Sequence, residues 1–343
     1  MKKRLLKPAE NDGQIICIPS SEEFILKVSD KHTVGTAHQP YFFNPGVALK
    51  FIFLGRIPKG RKKIFFVDTD RLDIKIKLPA REQIRQINFL NTDTVLSEYL
   101  TPKQEVFYDL LKSIENEIKE APVENLRQVI SNLSSFKEII IKNANKKFLK
   151  EVLAKSFLDF FSLNIPYYFL SDIIKGSEFE DFFTNIYNND RLFRDIFNES
   201  LDEYRETYRF RFKNFPFPRL QDGELPFWLI RDSKRARLFK NDIDLKDFHK
   251  ITIYPRASTL TIFLRLYKFD FFIHGLGGAN YEWVQDRIIE RFFNKAAPDY
   301  AVISGTFLLP GLSVFERKFP YFFFSPRKLK AKAELLVAEA VTI

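Results

Sequence analysis

The N-terminal part of the chain alternates between short apolar runs and a helical pattern. Gln14–Ile18 and His32–Ala37 are short apolar runs of the kind that form strands. Residues 47–54 carry apolar side chains at helical spacing, and Ile64–Val67 is a continuous apolar run typical of a buried parallel strand. A strand, a helix and a second strand joined by short connections predict a crossover unit and therefore an α/β sheet.

The pattern changes over residues 101–215, where apolar positions recur at helical spacing. One apolar stripe includes Leu110 and Ile114, and within this segment glycine occurs only at Gly176. We therefore predict an all-helical insertion in this segment. Its aromatic stripes are interpreted as core rather than as a surface that stacks bases.

The strand pattern returns after a proline-rich boundary at residues 215–226. The spacing of apolar residues predicts strands at 227–230, 235–239, 250–254, 269–274 and 298–304, and helices at 258–266 and 284–293. We therefore predict that the sheet resumes after the insertion. The predicted units are residues 1–100 (first half of the α/β core), 101–215 (helical insertion), 216–325 (second half of the core) and 326–343 (C-terminal helix).

Composition limits the classes of protein that fit. Apolar residues make up 45% of 343 residues, which suffices for a sizeable core and excludes a wholly disordered or collagen-like chain. The 54 Lys and Arg against 44 Asp and Glu give a net charge of +10. This excess fits either a solvated basic surface or an anionic ligand such as a nucleotide, a phosphate or a nucleic acid. A single cysteine, Cys17, excludes an internal disulfide and a cysteine-rich zinc site, and we expect no zinc.

No segment has the pattern of a leader or a membrane span. The basic first residues are followed by Glu10, Asn11 and Asp12 rather than by an apolar run, so we expect no signal peptide. The most apolar segment, residues 259–278, is interrupted by charged side chains and falls short of the roughly 18 apolar residues that a span needs. We therefore expect a cytoplasmic protein without a membrane partner.

Polar clusters directly follow the predicted strands. They are His38-Gln39, Asp68-Thr69-Asp70 and His274–Gly278. In an open α/β sheet, ligands bind beyond the carboxyl ends of the strands, where the strand order reverses. The coincidence of the clusters with strand ends therefore predicts a ligand site there.

The first cluster suits a phosphate group. His38 and Gln39 precede a helix that carries Lys50, and the free N–H groups of a helix N-terminus favour an anion to which an imidazole can also donate. The alternative is a loop histidine that fixes a turn around Pro40 and Pro45.

The second cluster has two interpretations. Asp68 and Asp70 are two residues apart, and in an extended backbone both carboxylates project to the same side. They could hold Mg²⁺, orient an amine or bond a ribose hydroxyl. Aspartate is equally common in turns and caps after strands.

The third cluster is a glycine turn that allows a ligand to approach the backbone closely, although it is not a nucleotide fingerprint. Asn280 and Tyr281 follow it, and Arg256 lies at the N-terminus of a predicted helix, where it can pair with an anion. Arg265 lies among apolar residues, which predicts a buried partner, with Asp270 as the candidate.

Several of these segments, taken in order, resemble the bacillithiol cysteine-adding enzymes, a family of cysteine ligases. The matching segments are Thr36–Gln39 with Asn44–Gly46 and Lys50, Val67–Asp70, Pro255-Arg256 and His274–Tyr281. The chain is more similar still to uncharacterised bacterial proteins with the same His-Gln-Pro and His-Gly-x-Gly-Gly turns. The resemblance covers roughly residues 30–80 and 225–310.

The resemblance implies an α/β fold with a Rossmann-like, nucleotidylyltransferase-like parallel sheet core and a helical insertion between its halves. It also implies a carbon-nitrogen ligase or nucleotidyl-transfer step, with ATP or another nucleotide as cofactor and Mg²⁺ as a candidate ion. The candidate catalytic residues are His38, Asp68, Asp70 and His274. The candidate ligand-binding residues are Gln39, Asn44, Lys50, Arg256, Gly275, Gly277, Gly278, Asn280 and Tyr281.

Two other functions stay open. A non-catalytic binding protein would use the same scaffold, and a nucleic-acid-associated protein would use the basic face. The basic cluster from Arg56 to Lys63 has no interleaved aromatic residues and is interpreted as a solvated turn. A small anionic ligand or nucleotide is therefore favoured over nucleic acid as the partner, and the oligomeric state is not predicted.

Overall fold

The computed structural model describes residues 14–18, 21–41, 45–79, 84–120, 126–208, 216–279 and 281–306. The strands are β1 (Gln14–Ile18), β2 (Thr33–His38), β3 (Arg61–Phe66), β4 (Arg71–Pro79), β5 (Ile84–Val95), β6 (Tyr167–Phe169), β7 (Glu224–Arg231), β8 (Lys234–Phe239), β9 (Thr252–Pro255), β10 (Phe271–His274) and β11 (Tyr300–Thr306).

The helices alternate with these strands along the chain. The α-helices are α1 (Ser21–Lys27), α2 (Pro45–Arg56), α3 (Gln104–Glu120), α4 (Leu126–Asn143), α5 (Leu149–Phe160), α6 (Leu170–Ile173), α7 (Ser177–Asn188), α8 (Asp190–Thr207), α9 (Ala257–Tyr267), α10 (Leu276–Ala279) and α11 (Glu282–Phe292). Short 3₁₀ helices span Leu96–Glu98, Lys240–Asp242 and Leu245–Lys250. Within the described part of the chain, no helix combines the length and the apolar character that crossing a membrane requires.

The central sheet has the strand order β1-β11-β10-β2-β3-β6. Strand β1 pairs antiparallel with β11, and the other five strands run parallel. From β2 the chain first builds the sheet outward through β3 to β6, and it then returns to place β10 and β11 on the other side of β2. This order of the parallel strands is compatible with a doubly wound, Rossmann-like core, and the order reverses between β2 and β10.

Alternation of side chains along the parallel strands divides the core into two layers. In β3, Ile64 and Phe66 lie on one face of the sheet and Phe65 lies on the other. The first face packs against α1, α2 and α5, and the second packs against α7, α9 and α11. Because helices cover both faces, the parallel strands are buried, which explains their continuous apolar runs.

Two smaller antiparallel sheets flank the central one. Strands β4 and β5 form a ribbon that packs with α3, α4 and α5 in a third core cluster. Strands β7, β8 and β9 form a sheet in the order β8-β7-β9 and pack with α7, α8 and α9. The prediction that the strands at 227–230, 235–239 and 250–254 continue the main sheet is therefore wrong, although each of them is a strand.

The segment predicted to be all-helical contains a strand of the central sheet. Helices α3 to α8 account for most of residues 101–215, but β6 lies between α5 and α6 and pairs parallel with β3. With three residues, β6 is too short to show a periodicity of its own. It is a strand because it pairs with β3. The predicted helix at 326–343 lies outside the described residues.

A buried ion pair fixes the carboxyl end of β3. Asp68 has no exposed surface, and it accepts hydrogen bonds from Lys150 Nζ on α5 at 2.7 Å and from the backbone N–H of Ser171 at 3.0 Å. The hydroxyl of Ser171 also donates to Asp68. This carboxylate therefore ties the strand end to α5 and α6.

The expectation that Asp68 and Asp70 act together is wrong. The strand ends at Phe66, so the extended geometry that would align the two carboxylates does not continue to residue 70. Asp70 instead accepts hydrogen bonds from Gln39 and Arg235, so it shares no partner with Asp68 among these contacts.

Replacing Lys150 with methionine should destabilise the fold strongly, because the buried Asp68 carboxylate then lacks its counter-charge. We expect the free energy of unfolding to fall by about 3 kcal/mol, measured by urea denaturation. Lys155→Met on the same helix is the control, since Lys155 is 43% exposed and pairs with Asp159 at the surface. Its expected loss is below about 1 kcal/mol. Equal losses in the two variants would contradict the role assigned to Asp68.

Candidate functional site

A cavity of about 690 Å³ opens at the carboxyl ends of β2 and β10. Its other walls are the N-terminal turns of α2 and α9 and the sheet of β7, β8 and β9. The predicted site residues that line it are His38, Gln39, Lys50, Asp70, Arg256, His274, Gly275, Gly277, Gly278 and Tyr281. Asp68 does not line it, and Asn44 and Asn280 lie outside the described residues. The structure thus brings together most of the residues singled out at separate strand ends.

His38 ends β2 and contributes a neutral imidazole. The pKa of His38 is lowered to about 3, mainly by burial and to a smaller extent by the nearby charge of Lys50. Its Nδ1 lies 3.1 Å from the carbonyl oxygen of Gln39, which can only accept a hydrogen bond. Nδ1 therefore carries the proton, and Nε2 has a free lone pair. This geometry suits proton acceptance better than the donation to a phosphate that the sequence suggested.

Lys50 is a buried amine on α2, with 3% of its surface exposed. Its Nζ donates to the carbonyl oxygen of Ala37 at 2.7 Å. Burial lowers the pKa of Lys50 to about 7, and no carboxylate of a described residue acts on it. The cavity therefore contains an amine close to its neutral point, and it lacks the counter-charge that buried cations usually have.

His274 ends β10 and is held by a second buried carboxylate. Its Nε2 lies 2.6 Å from Oε1 of Glu282, the first residue of α11, and Glu282 has no exposed surface. Burial lowers the pKa of His274, although Glu282 opposes the shift. The two atoms do not form a hydrogen bond of good geometry, so the contact places the carboxylate beside the ring without setting its tautomer.

Glu282 also pairs with Arg265 of α9, which is 1% exposed. Arg265 contacts Asp286 at 2.7 Å as well. The prediction that Asp270 is the partner of Arg265 is therefore wrong, since Asp270 accepts a hydrogen bond from the backbone N–H of Thr33 at 2.6 Å. The helix that begins at residue 282 is visible in the sequence, but the burial of its first carboxylate depends on tertiary packing.

In the glycine turn, the backbone of Gly278 lies close to the imidazole of His274. A Cβ atom on residue 278 would overlap the imidazole of His274, so glycine is required there. A Cβ on Gly275 or Gly277 would meet nothing within 4 Å. These two positions therefore border open space in the cavity, as expected of a turn that a ligand approaches.

The opposite wall is an aromatic and arginine cluster that the sequence analysis largely missed. The guanidinium of Arg256 lies 4.4 Å from the ring centroid of Trp228, and that of Arg235 lies 5.1 Å from it. Arg256 pairs with Glu224 at 2.9 Å, and Arg235 pairs with Asp70. Strand alternation in Arg235-Ala236-Arg237 was the available signal, since it places both arginines on one face of β8.

No metal site is apparent in the described ranges. They contain no group of three or more His, Cys, Asp or Glu side chains that could hold a metal ion. Of the described acidic residues, Asp70 lines the cavity.

The chain matches none of the family models, and it matches none of the curated proteins compared with it. Functional conclusions therefore depend on the chemistry of the cavity.

The lowered pKa of the half-buried His38 should make folding sensitive to acid. A base whose pKa is lowered by folding contributes stability above its ordinary pKa of 6.5, and that contribution is lost as the pH falls towards about 3. Between pH 7.5 and 5.5, wild type should therefore lose about 1 kcal/mol more than His38→Gln in urea denaturation. His249→Gln is the control, because this side chain is 72% exposed. A pH dependence that His38→Gln leaves unchanged would contradict the assignment.

Proposed function

We propose that this protein is an enzyme that binds a nucleotide such as ATP, or a sugar phosphate, and uses it in a ligase or nucleotidyl-transfer step. The observation that carries the proposal is Lys50, a buried amine without a carboxylate partner among the described residues. It lies in the cavity at the reversal of strand order, between the ends of β2 and β10. In open α/β sheets this is the place where nucleotides and related ligands bind.

An anionic group complements this part of the cavity. A phosphate beside Lys50 would supply the missing counter-charge and keep the amine protonated. The N-terminal turn of α2 borders the same space through Gly46 and Val47, and a helix N-terminus favours an anion. A neutral ligand would leave the buried amine unpaired, so a phosphate is the better fit.

The remainder of the cavity suits the organic part of such a ligand. Its volume of about 690 Å³ falls within the usual range of small-molecule sites. Phe197, Phe217 and Tyr281 line it, and Phe217 and Tyr281 pack with ring centroids 5.5 Å apart. These rings offer the apolar surface that a base or a sugar ring contacts. A phosphorylated ligand with an organic ring therefore matches both ends of the cavity better than a bare anion does.

The side chains also suit a group-transfer step. The negative charge of a bound phosphate would raise the lowered pKa of His38, and its Nε2 can then accept the proton of an attacking amine or hydroxyl, because the other ring nitrogen already donates to Gln39. Lys50 can neutralise charge that develops on phosphate oxygens, and His274 lies against Glu282 at the same edge of the sheet. Mg²⁺ would enter with the nucleotide phosphates, and Asp70 is the described carboxylate that could contact it.

The resemblance to the bacillithiol cysteine-adding enzymes supports the same class of reaction. The segments that carry it supply His38, Lys50, Arg256 and His274, which border one cavity although they come from distant parts of the chain. The order of the parallel strands is also compatible with the nucleotidylyltransferase-like core that the resemblance implies.

Binding should depend on Lys50 and should be accompanied by proton uptake. At pH 8 the free amine is mostly neutral, and a bound phosphate should protonate it. Titration calorimetry of nucleotides and sugar phosphates, with and without Mg²⁺, in buffers of different ionisation enthalpy measures both quantities. We expect wild type to take up close to one proton per ligand, and Lys50→Met to lose this uptake and about tenfold or more in affinity.

Lys62→Met is the matched control, because Lys62 Nζ also donates to a backbone carbonyl, that of Gly55 at 3.0 Å, but the residue does not line the cavity. Absence of binding by every nucleotide and sugar phosphate would contradict the proposal. So would equal losses in Lys50→Met and Lys62→Met.

Turnover should depend on His38 more than binding does. With the nucleotide identified by calorimetry, consumption of that nucleotide in the presence of amine and hydroxyl acceptors is measured by ³¹P NMR. We expect His38→Ala to abolish turnover and to retain the fold, as followed by circular dichroism. Normal turnover in His38→Ala would contradict its assignment as the base. Binding without turnover in wild type would identify a binding protein instead of an enzyme.

A further inference from the structure

The N-terminus of α9 forms a separate part of the cavity wall. Ala257 and Ser258 line the cavity, and Arg256 is the N-cap residue of this 11-residue helix. The Arg256 side chain does not cap the helix, and the first N–H groups of an α-helix have no intrahelical acceptor. The hydroxyl of Thr259 donates to the carbonyl oxygen of Pro226 at 2.7 Å, and it lies 3.1 Å from that of Arg256. In the part of the chain that the structure describes, the N-cap side chain makes no capping hydrogen bond to the N–H groups at the start of α9.

Ser258 is the second observation that points to a ligand here. The residue is 5% exposed, and its Oγ has no hydrogen-bond partner among the described residues. A buried hydroxyl without a partner is unfavourable, and folded proteins rarely retain one without a reason. An oxygen atom of a ligand at the helix N-terminus would satisfy this hydroxyl.

The local charge is positive. The guanidinium groups of Arg256 and Arg237 share one carboxylate, Glu224, at 2.9 and 3.6 Å. Glu224 also accepts a hydrogen bond from the backbone N–H of Gln221, so it is fixed in place and holds Arg256 at the wall. Arg256 Nη2 contacts Glu224 without forming a hydrogen bond of good geometry. Two cations against one anion leave an excess positive charge beside the helix N-terminus.

We propose that Arg256, Ser258 and the N-terminal turn of α9 form a second oxyanion subsite that binds a phosphate group. It rests on the proposed function in taking the same cavity as the ligand site, but it adds a phosphate group distinct from the one at Lys50. The charged groups that act on Arg256 are Glu224 and Arg237, whereas Lys50 acts on His38 and His274.

Guanidinium, backbone N–H and hydroxyl donors together match the oxygens of a phosphate. The ligands of the cavity therefore carry two phosphate groups in total, one for each cluster of donors. The second group belongs either to the far end of the nucleotide or to a phosphorylated co-substrate.

The test uses the full chain with inorganic phosphate as the probe. Melting temperatures are recorded against phosphate concentration, with sodium chloride at equal ionic strength as the salt control, and the concentration dependence gives the dissociation constant. The titration is also run in the Lys50→Met variant, which removes the contribution of the phosphate site at Lys50 to the change in melting temperature. In this background we expect phosphate to raise the melting temperature, and adding Ser258→Ala to weaken phosphate binding by about tenfold or more.

Ser200→Ala is the matched control in the same background. Ser200 is fully buried, and its Oγ also has no partner among the described residues, but the residue does not line the cavity. Without phosphate, both serine variants should melt at the temperature of their parent or slightly above it, because each loses only an unpartnered hydroxyl. The two variants should therefore differ only in their response to phosphate.

The outcomes separate this inference from the proposed function. Stabilisation of wild type but not of Lys50→Met would overturn the second subsite and leave the site at Lys50 in place. Equal phosphate affinity in Lys50→Met and in the double variant that adds Ser258→Ala would also overturn the second subsite. Phosphate binding that depends on Ser258, in a protein that binds no nucleotide and no sugar phosphate, would support the subsite and refute the proposed function.

Discussion

The reversal of strand order between β2 and β10 is the constraint on which the rest of the structure depends. These strands are neighbours, but the chain leaves them toward opposite sides of the sheet. Their carboxyl ends therefore open into a crevice that no crossover connection fills. His38 and His274 end the two strands, and α2 begins shortly after the first. Sheet topology thus gathers side chains that are more than 230 residues apart in sequence.

The buried basic side chains differ in whether they have an acidic partner. Lys50, Lys150 and Arg265 are each more than nine-tenths buried. Lys150 pairs with Asp68, and Arg265 pairs with Glu282 and Asp286, so both satisfy the rule that buried charges have partners. Lys50 departs from that rule among the described residues, and it borders the cavity. Departures of this kind are tolerated where a ligand completes the charge balance, which makes Lys50 more informative than either paired cation.

Local sequence patterns were sufficient to predict much of the fold and part of the site. The strands at β2, β3 and β10 and the helices α2, α9 and α11 follow from apolar periodicity, because each buries a regular face. Strand β6 could not be predicted, since three residues show no period, and the separate sheet of β7, β8 and β9 depends on pairing across the chain. Most of the polar residues predicted at the strand ends line the cavity. The sequence could not show that Asp68 turns inward to Lys150, because the direction of a side chain after a strand is set by tertiary contacts.

The separate antiparallel sheet gives the crevice its second wall. A parallel sheet alone offers a shallow edge, but β7 and β8 bring Trp228, Arg235 and Arg237 across from the strand ends. The chain passes from β9 directly into α9, so the same segment that completes this sheet also points a helix N-terminus at the cavity. Arg265, on the last turn of α9, pairs with Glu282, and Glu282 contacts His274. One helix therefore connects the two walls: its beginning presents Arg256 and Ser258, and its end pairs with the carboxylate that contacts the histidine at the sheet edge. The separation of these two groups is set by a rigid element, as recognition of a ligand of defined length requires.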